Sequence, residues 1–534
     1  MLKTNRVMKK NIILTFAAAA LLSVGTSSCV GDLNVTPIDP NTQLPEDVLN
    51  SQDAYNQLLA KCYQGLACSA SDGPDSDPDI SGVDGGYGQY IRAMFHMEVL
   101  STDEAVCCWN DQTLFDIHNL CWSTSDTFVA AAYYRVFFQV GLCNEFIRRA
   151  SGAEIEGFTK KDQFIAEARA LRLLSYYHAI DLFGNVPFFT EDNSVGSEGP
   201  SQISRADLFE WMEKEAKDLL SSSSALPAAG KSEYGRIDQG AVQMILAKLY
   251  LNAEVWAGQN RYADCAQLAK TIMGEYELHS EYLDLFSADN HLFTKNTTYN
   301  GDEIIFVVPQ DGYNIRSYGV TNYIIFASTG GKMDVNAMGI SSGWGGLSLT
   351  PQFVDLFEAG DKRANFYTGY GKNIDQINKF DPEDWEGGYK SMKFRNVNHD
   401  GTPAQYSSFV DTDFPVFRVA DAYLMLAECA KRSAASEAEG LEALNAIRRR
   451  AGVAEKSSYT LQDVLDERGR ELYHELVRRQ DLIRFGQFTT SEYLWAWKGG
   501  VKEGKAVDSK YNLYPLTSSD VNANGNLEQN EGYK

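Results

Sequence analysis

The sequence lacks the short motifs that mark several common classes of enzyme. It has no HExxH metalloprotease motif, no GxSxG nucleophile elbow, no P-loop and no dinucleotide-binding fingerprint. The pair His474-Glu475 comes nearest, but no second histidine follows at the required spacing. Acidic residues are numerous enough to supply a glycosidase pair, although no motif selects two of them. The sequence therefore gives no support to an enzyme, and an unmarked carboxylate pair stays as an alternative.

Basic residues are also fewer than acidic ones: the chain has 48 Lys and Arg and 72 Asp and Glu, which gives a net charge of −24. This balance excludes nucleic acid as a partner and fits a neutral substrate better than an anionic one. The nine cysteines form no CxxC pair and no cluster with histidine at zinc spacing, which argues against a zinc site. Three of them, Cys143, Cys265 and Cys429, lie in helical patterns and are expected to be buried.

The first 28 residues have the pattern of a lipoprotein signal peptide. A basic segment up to Lys10 precedes an apolar run from Ile12 to Val24, and a run of small residues leads directly into Cys29. A cysteine at this position is where bacterial lipoproteins are cleaved and acylated, so we predict removal of residues 1–28 and attachment to a membrane through Cys29. Cleavage near Ala20 by an ordinary signal peptidase is the alternative.

Beyond a lipidated tether at residues 29–50, we predict one mainly α body over residues 51–534. Helical periodicity predicts helix pairs within about 125–290 and 415–490. Short loops between helices with small-residue faces favour a tetratricopeptide-like helical scaffold, although the strict consensus of those repeats is absent. Loop-rich stretches at about 65–122 and 301–415, with a few short strands, form an irregular region where ligand-binding residues are expected.

Aromatic residues in the two loop-rich stretches are candidates for binding sugars. Trp109, Trp122, Tyr318 and Trp344 stand among Gly, Ser, Asn and Asp and not within an apolar helical stripe. Sugar rings have an apolar face that packs on an aromatic face, while their hydroxyls need fixed donors and acceptors. The alternative for each ring is a place in the core, where large aromatic residues usually lie.

Two acidic clusters are candidates for calcium sites. Asp75, Asp77 and Asp79 alternate like the start of a calcium loop, but Ile80 stands where glycine is needed, so a solvated acidic loop is the better interpretation. Asp411 and Asp413 form a second pair, and capping of a strand start is the alternative there.

Five segments together resemble the SusD family, and the similarity runs from the lipoprotein cysteine to the last residues. They are AEARALRLLSYYHAIDLFGNVPFF (166–189), GRIDQGAVQMILAKLYLNAEVWAGQ (235–259), DFPVFRVADAYLMLAECA (413–430), ERGRELYHELVRRQDLIRFGQF (467–488) and NLYPLTSSDVNANGNLEQNEGY (512–533). The resemblance implies a lipid-anchored protein on the extracellular face of the outer membrane that binds oligosaccharides without cleaving them. It also implies delivery to a SusC-type TonB-dependent transporter as partner.

Within the family, the chain most resembles members that bind starch. The resemblance assigns a platform to Trp109 and an arginine contact to Arg92, both in YIRAMFHMEVLSTDEAVCCWNDQ (90–112), and an acidic sugar contact to Asp84. RSYG (316–319) and SSGWG (341–345) supply Tyr318 and Trp344, which complete an arc suited to a curved α-1,4-glucan.

The match to starch-binding members departs at two positions. A tryptophan expected shortly before the platform is Cys107 here, and the polar contact falls on Gln112, with Asn110 and Asp111 nearby. The family's calcium ion, when present, would involve Asp411 and Asp413, and no cofactor is otherwise required. A different neutral glycan, or a structural lid on the transporter that binds no glycan, are the remaining alternatives.

Overall fold

A computed structural model describes residues 48–193, 196, 199–295, 303–375, 377 and 387–534. The predicted signal peptide, the lipidation site Cys29 and nearly all of the tether at 29–50 lie outside these residues. Within the described ranges, no helix combines the length and apolar character that crossing a bilayer requires.

The described residues are mainly helical. The helices are α1 (Gln52–Ala67), α2 (Tyr90–Glu98), α3 (Gln112–His118), α4 (Thr127–Ser151), α5 (Lys161–Leu182), α6 (Arg205–Leu219), α7 (Gln239–Leu251), α8 (Ala253–Ala257), α9 (Tyr262–Glu275), α10 (Val320–Ser328), α11 (Pro351–Val354), α12 (Val419–Lys431), α13 (Glu437–Ala451), α14 (Leu461–Leu472), α15 (Arg478–Arg484) and α16 (Ser518–Ala523). Short 3-10 turns occupy Tyr282–Phe286, Asn290–Phe293, Asn336–Met338, Lys498–Gly500 and Ser509–Asn512. Helix α4 packs on α5, α7 on α9, α9 on α12 and α12 on α13. The prediction of a mainly α fold with a tetratricopeptide-like helical scaffold is confirmed.

Local sequence signals explain where several helices begin and end. The side chain of Asp126 accepts hydrogen bonds from the first amides of α4, and Thr460 with Asp463 forms the capping box that opens α14. Gly452 ends α13 in the left-handed conformation, with φ of 77°. These caps satisfy backbone groups that have no partner inside a helix.

Short strands pair two by two in the described residues, most of them in the irregular region. They are β1 (Ala105–Cys107), β2 (Val186–Pro187), β3 (Gln202–Ile203), β4 (Ile304–Val308), β5 (Leu347–Leu349), β6 (Phe366–Tyr367), β7 (Lys390–Ser391) and β8 (Phe414–Arg418). They pair antiparallel as β1 with β5, β2 with β3, β4 with β8 and β6 with β7. In the first pair Ala105 faces Leu349 and Cys107 faces Leu347, which places the segment after β1 beside the segment before β5.

A cluster of buried ion pairs joins the strands to the C-terminal helices. Arg418 of β8 pairs with Glu475 at 2.7 Å and with Glu471 of α14 at 3.0 Å. Arg450 of α13 pairs with Glu303, which precedes β4, at 2.9 Å, and also with Glu471. These side chains are at most 5% exposed. Loss of one partner would leave a buried charge uncompensated, so the contact of β4 and β8 with α13 and α14 depends on these pairs.

Candidate functional site

The three predicted platform rings lie side by side in one row. The ring centroids of Trp109 and Trp344 are 6.4 Å apart with an interplanar angle of 55°, and those of Trp344 and Tyr318 are 6.0 Å apart at 66°. Each ring is partly exposed. We call Trp109, Trp344 and Tyr318 the aromatic row. Because successive rings are inclined to one another, their faces do not lie in one plane.

Trp109 lies against a stretch of backbone that only glycine allows. Its indole Nε1 donates to the carbonyl oxygen of Gly345 at 2.9 Å, and the amide of Cys108 donates to that of Gly346 at 2.8 Å. A Cβ atom on Gly346, whose φ is 105°, would stand 2.3 Å from Nε1 of Trp109. With its single donor engaged by the protein, the indole has only its ring to offer a ligand.

Trp344, in the middle of the row, is held by the C-terminal end of α10. Its amide donates to the carbonyl oxygen of Phe326 at 2.8 Å, and its ring centroid lies 5.0 Å from that of Phe326. A Cβ atom on Gly343 would stand 2.1 Å from the carbonyl oxygen of Thr329, so the loop can approach the helix only with glycine there.

Tyr318 closes the other end of the row. Its hydroxyl donates to Oδ1 of Asp75 at 2.8 Å, and this hydrogen bond raises the pKa of the phenol above its usual value. Its ring centroid lies 5.7 Å from that of Phe409. Neither neighbour is predicted from the sequence: Asp75 belongs to the acidic loop interpreted as solvated, and no periodicity or motif distinguishes Phe409.

Arg92 is a buried residue that contacts both ends of the aromatic row. The side chain is 7% exposed, and Nη1 donates to the carbonyl oxygens of Tyr318, at 2.8 Å, and Gly86. Its guanidinium carbon lies 5.8 Å from the ring centroid of Trp109 and 4.2 Å from that of Tyr323. Burial lowers the pKa of Arg92 from its usual value. The geometry shows a positioning role, and a direct contact with sugar stays a prediction.

The other residues predicted to contact sugar are Asp84, Asn110 and Gln112. Asp84 is exposed and accepts from the amide of Gly86 at 2.6 Å, and Gly86 is the residue whose carbonyl oxygen Arg92 binds. Asn110 is exposed directly after Trp109. Gln112 is exposed at the start of α3, where its Nε2 donates to Asp116 at 2.7 Å. Their contacts with a ligand stay predictions.

Trp122, the fourth aromatic candidate, belongs to the core. It is 2% exposed, its ring stacks on Tyr514 with centroids 4.3 Å apart, and its Nε1 donates to the hydroxyl of Tyr533 at 2.8 Å. The core alternative therefore holds for this tryptophan.

The carboxylates of Asp411 and Asp413 accept hydrogen bonds from backbone amides. Oδ1 of Asp413 accepts from Gln310 at 2.7 Å, and Oδ1 of Asp411 accepts from Gly312 at 2.8 Å. Burial raises the pKa of Asp413 to about 8. The described ranges contain no group of three or more His, Cys, Asp or Glu that could hold a metal ion. Backbone N–H groups thus engage one oxygen of each carboxylate, and calcium binding by the pair stays a prediction.

Comparison with known proteins adds a family and a fold. A family model described as the SusD family matches residues 378–533. The chain is 33% identical to the starch-binding protein SusD of Bacteroides thetaiotaomicron, over 98% of this chain and 100% of the relative. It is 27% identical to a SusD-like protein of Bacteroides ovatus, over 62% of this chain and 61% of that one.

Solved structures show the same fold at lower identity. Surface glycan-binding protein A of Bacteroides thetaiotaomicron, in complex with laminarihexaose, matches with a TM-score of 0.68 and 18% identity over 90% of this chain and 99% of that one. A SusD superfamily protein of Parabacteroides distasonis matches with a TM-score of 0.68 and 23% identity, over 91% of this chain and 100% of that one.

Proposed function

The chain belongs to the SusD family, and from that premise we propose that it binds α-1,4-glucan oligosaccharides of starch on the aromatic row. Membership makes it a SusD-like surface glycan-binding protein and not an enzyme. The observation that carries the starch proposal is the row of Trp109, Trp344 and Tyr318, whose rings are contiguous, inclined to one another and partly exposed.

The shape of the row favours a coiled polymer over a flat one. Successive rings are inclined by 55° and 66°, so sugar units that pack on them must also turn relative to one another. Each sugar hydroxyl exchanges bonds with water for bonds with protein, a net gain of about 0.5–1.5 kcal/mol per hydrogen bond. We therefore expect modest affinity, with recognition of polymer shape more than of single sugar units.

A second candidate ligand is a β-glucan. One similar structure holds laminarihexaose, and its fold matches this chain over most of the length. The full-length relative at higher identity is named for starch, which favours the α-glucan. Binding to both classes is testable with the same experiment.

Affinity electrophoresis of the purified protein in gels that contain amylopectin, pullulan, laminarin or an unrelated glycan tests the proposal. We expect amylopectin and pullulan to retard the protein and to yield no cleavage products. Trp109→Ala and Trp344→Ala should abolish the retardation because each removes a stacking face. Trp211→Ala is the matched control, since this partly buried tryptophan packs on Tyr176, outside the row.

The outcomes separate the hypotheses. Unchanged retardation of both row variants would mean that the glycan binds elsewhere. Retardation by laminarin alone selects the β-glucan, released sugars select an enzyme, and no retardation by any glycan leaves a structural lid.

We also propose that the protein is anchored at the extracellular face of the outer membrane through Cys29 and passes glycans to a SusC-type TonB-dependent transporter. The pattern of residues 1–29 supports the anchor, and family membership supports the partner. Cys29→Ala should abolish incorporation of labelled palmitate and release the protein from the membrane fraction. Affinity purification of the intact protein should recover the transporter, and its absence under mild detergent would oppose the partnership.

A further inference from the structure

One aromatic ring outside the aromatic row stands out by its exposure. Tyr313 is 67% exposed and is the only aromatic residue among the exposed large hydrophobic side chains of the described ranges. It occupies the tip of a tight turn, where Ile315 donates its amide to the carbonyl oxygen of Asp311 at 2.9 Å.

The exposed ring is held in place. Tyr313 stacks on Tyr406, with ring centroids 5.9 Å apart and an interplanar angle of 22°. Oδ1 of Asp311 accepts from the amides of Tyr313, at 2.8 Å, and Asn314, at 2.9 Å. The Asn314 side chain also donates to Oδ2 of Asp311 at 2.8 Å. A ring that is fixed before binding loses little conformational entropy when a ligand packs on it.

Asp411 joins the turn to the loop that carries Tyr406. Its Oδ1 accepts from the amide of Gly312 at 2.8 Å, and its Oδ2 accepts from the amides of Gln405 at 3.1 Å and Tyr406 at 3.4 Å. A Cβ atom on Gly312 would stand 2.5 Å from Cβ of Tyr406, so glycine permits the close approach. Asp411, one of the two acidic residues identified as a candidate calcium site, thus aligns Tyr313 with Tyr406.

This pair of tyrosines is continuous with the Tyr318 end of the aromatic row. Phe409, on the same loop as Tyr406, has its ring centroid 5.7 Å from that of Tyr318. The amide of Ser341 donates to the carbonyl oxygen of Ser407 at 2.9 Å, which ties this loop to the one that carries Trp344. A glycan that leaves the row past Tyr318 therefore meets the surface of this loop.

A polar cavity of about 200 Å³ opens beside Tyr313. Its lining includes Asp72, Asn314 and Arg316, which bring acceptor and donor groups next to the exposed ring. Flat apolar surface next to such groups is the combination that a sugar unit requires, because its C–H face packs and its hydroxyls bind.

We propose that Tyr313, together with Arg316, Asn314 and Asp72, forms an accessory subsite for a sugar unit of the same glycan chain, beyond the aromatic row. The proposal rests on the proposed glycan-binding function and extends it. It makes the protein selective for chains long enough to reach from the row to Tyr313.

Calorimetric titration of Tyr313→Ala with maltotriose and with a long maltooligosaccharide tests the subsite. We expect the Kd for the long chain to rise about tenfold, the loss of one stacking contact, while the Kd for maltotriose stays within about twofold of wild type. Tyr313→Phe keeps the ring and should restore long-chain binding. Tyr423→Ala is the control, because this tyrosine lines a separate groove between helices.

Each other result has a defined meaning. Equal affinity of Tyr313→Ala and wild type for the long chain overturns the subsite and leaves the aromatic row intact. Weaker recovery of a transporter with unchanged glycan affinity assigns Tyr313 to a protein contact and also overturns it. If wild type binds no α-glucan, the starch proposal fails, and the same short and long comparison with the glycan that does retard the protein decides the subsite. If no glycan binds, both proposals fail.

Discussion

Trp109 and Trp122 show that neighbours in sequence do not determine whether a tryptophan is exposed or buried. Both stand in polar, loop-rich sequence, yet one is partly exposed in the row and the other is 2% exposed. The difference comes from residues far along the chain, since Tyr514 and Tyr533 cover Trp122 while Gly346 lies behind Trp109. The sequence context identifies four aromatic residues as candidates for sugar binding. Only tertiary contacts show that three are partly exposed and that Trp122 is buried.

Replacing Trp122 by alanine should therefore lower stability and spare binding. Loss of a buried tryptophan typically lowers the free energy of unfolding by about 3–5 kcal/mol. Urea denaturation followed by tyrosine and tryptophan fluorescence measures the first effect, and affinity electrophoresis of the folded protein measures the second. Loss of retardation at unchanged stability would place Trp122 in the binding site.

Replacing Gly346 by alanine should displace the Trp109 ring and weaken glycan binding at least about tenfold, the equivalent of one stacking contact. Gly360→Ala is matched to it, because Gly360 also has a positive φ, 85°, but its added Cβ would meet nothing within 4 Å. Both variants bear backbone strain, and only Gly346→Ala also disturbs the row. Equal titration curves for the two variants would show that the ring does not depend on this glycine.

At the level of elements, the sequence predicted those with strong local signals. The apolar run of β4, which ends before Pro309, and the capping box of Thr460 with Asp463 at α14 are signals of this kind. Strands β1 and β5 were not predicted, since segments of three residues have too little alternation to identify. Yet their pairing brings the segment after Cys107 beside the segment before Leu347, and so Trp109 beside Trp344. Register between such short strands depends on the rest of the fold.

Asp411→Ala tests how the turn and the loop are held together. Removal of its carboxylate leaves the amides of Gly312 and Gln405 without their acceptor, so the two tyrosines should lose their alignment. We expect weaker binding of long maltooligosaccharides with little change for maltotriose, although Asp411 is not proposed to touch sugar. Melting temperature with calcium and with a chelator supplies a second readout. A rise with calcium in wild type that is absent from Asp411→Ala would establish the calcium site instead.

At the scale of the whole molecule, buried ion pairs link stability to pH. Burial alone would raise the pKa of Glu467, but the guanidinium groups of Arg363 and Arg470 outweigh it and hold that pKa at about 2. The unfolded chain therefore binds a proton at a higher pH than the folded protein does. The stabilisation from this carboxylate is complete above the unfolded pKa of 4.5 and disappears as pH falls towards 2.

Glu467→Gln should lower the free energy of unfolding at pH 7 by roughly 3 kcal/mol and flatten its decline between pH 5 and about 3. Urea denaturation across that range measures both effects. Glu528→Gln is the control, because its partner Lys534 is exposed and solvent screens the pair. Parallel pH profiles for Glu467→Gln and wild type would show that other carboxylates govern unfolding in acid.

The rings of the aromatic row stand on separate backbone segments that meet through amide and carbonyl groups, such as Cys108 with Gly346 and Trp344 with Phe326. A change in the length of the loop that carries Trp344 would shift its ring and, through Gly345 and Gly346, also that of Trp109. Tyr318 would keep its contacts with Asp75 and Phe409. The spacing and inclination of the rings can therefore change through the loops while the helical body keeps its sequence and its stability.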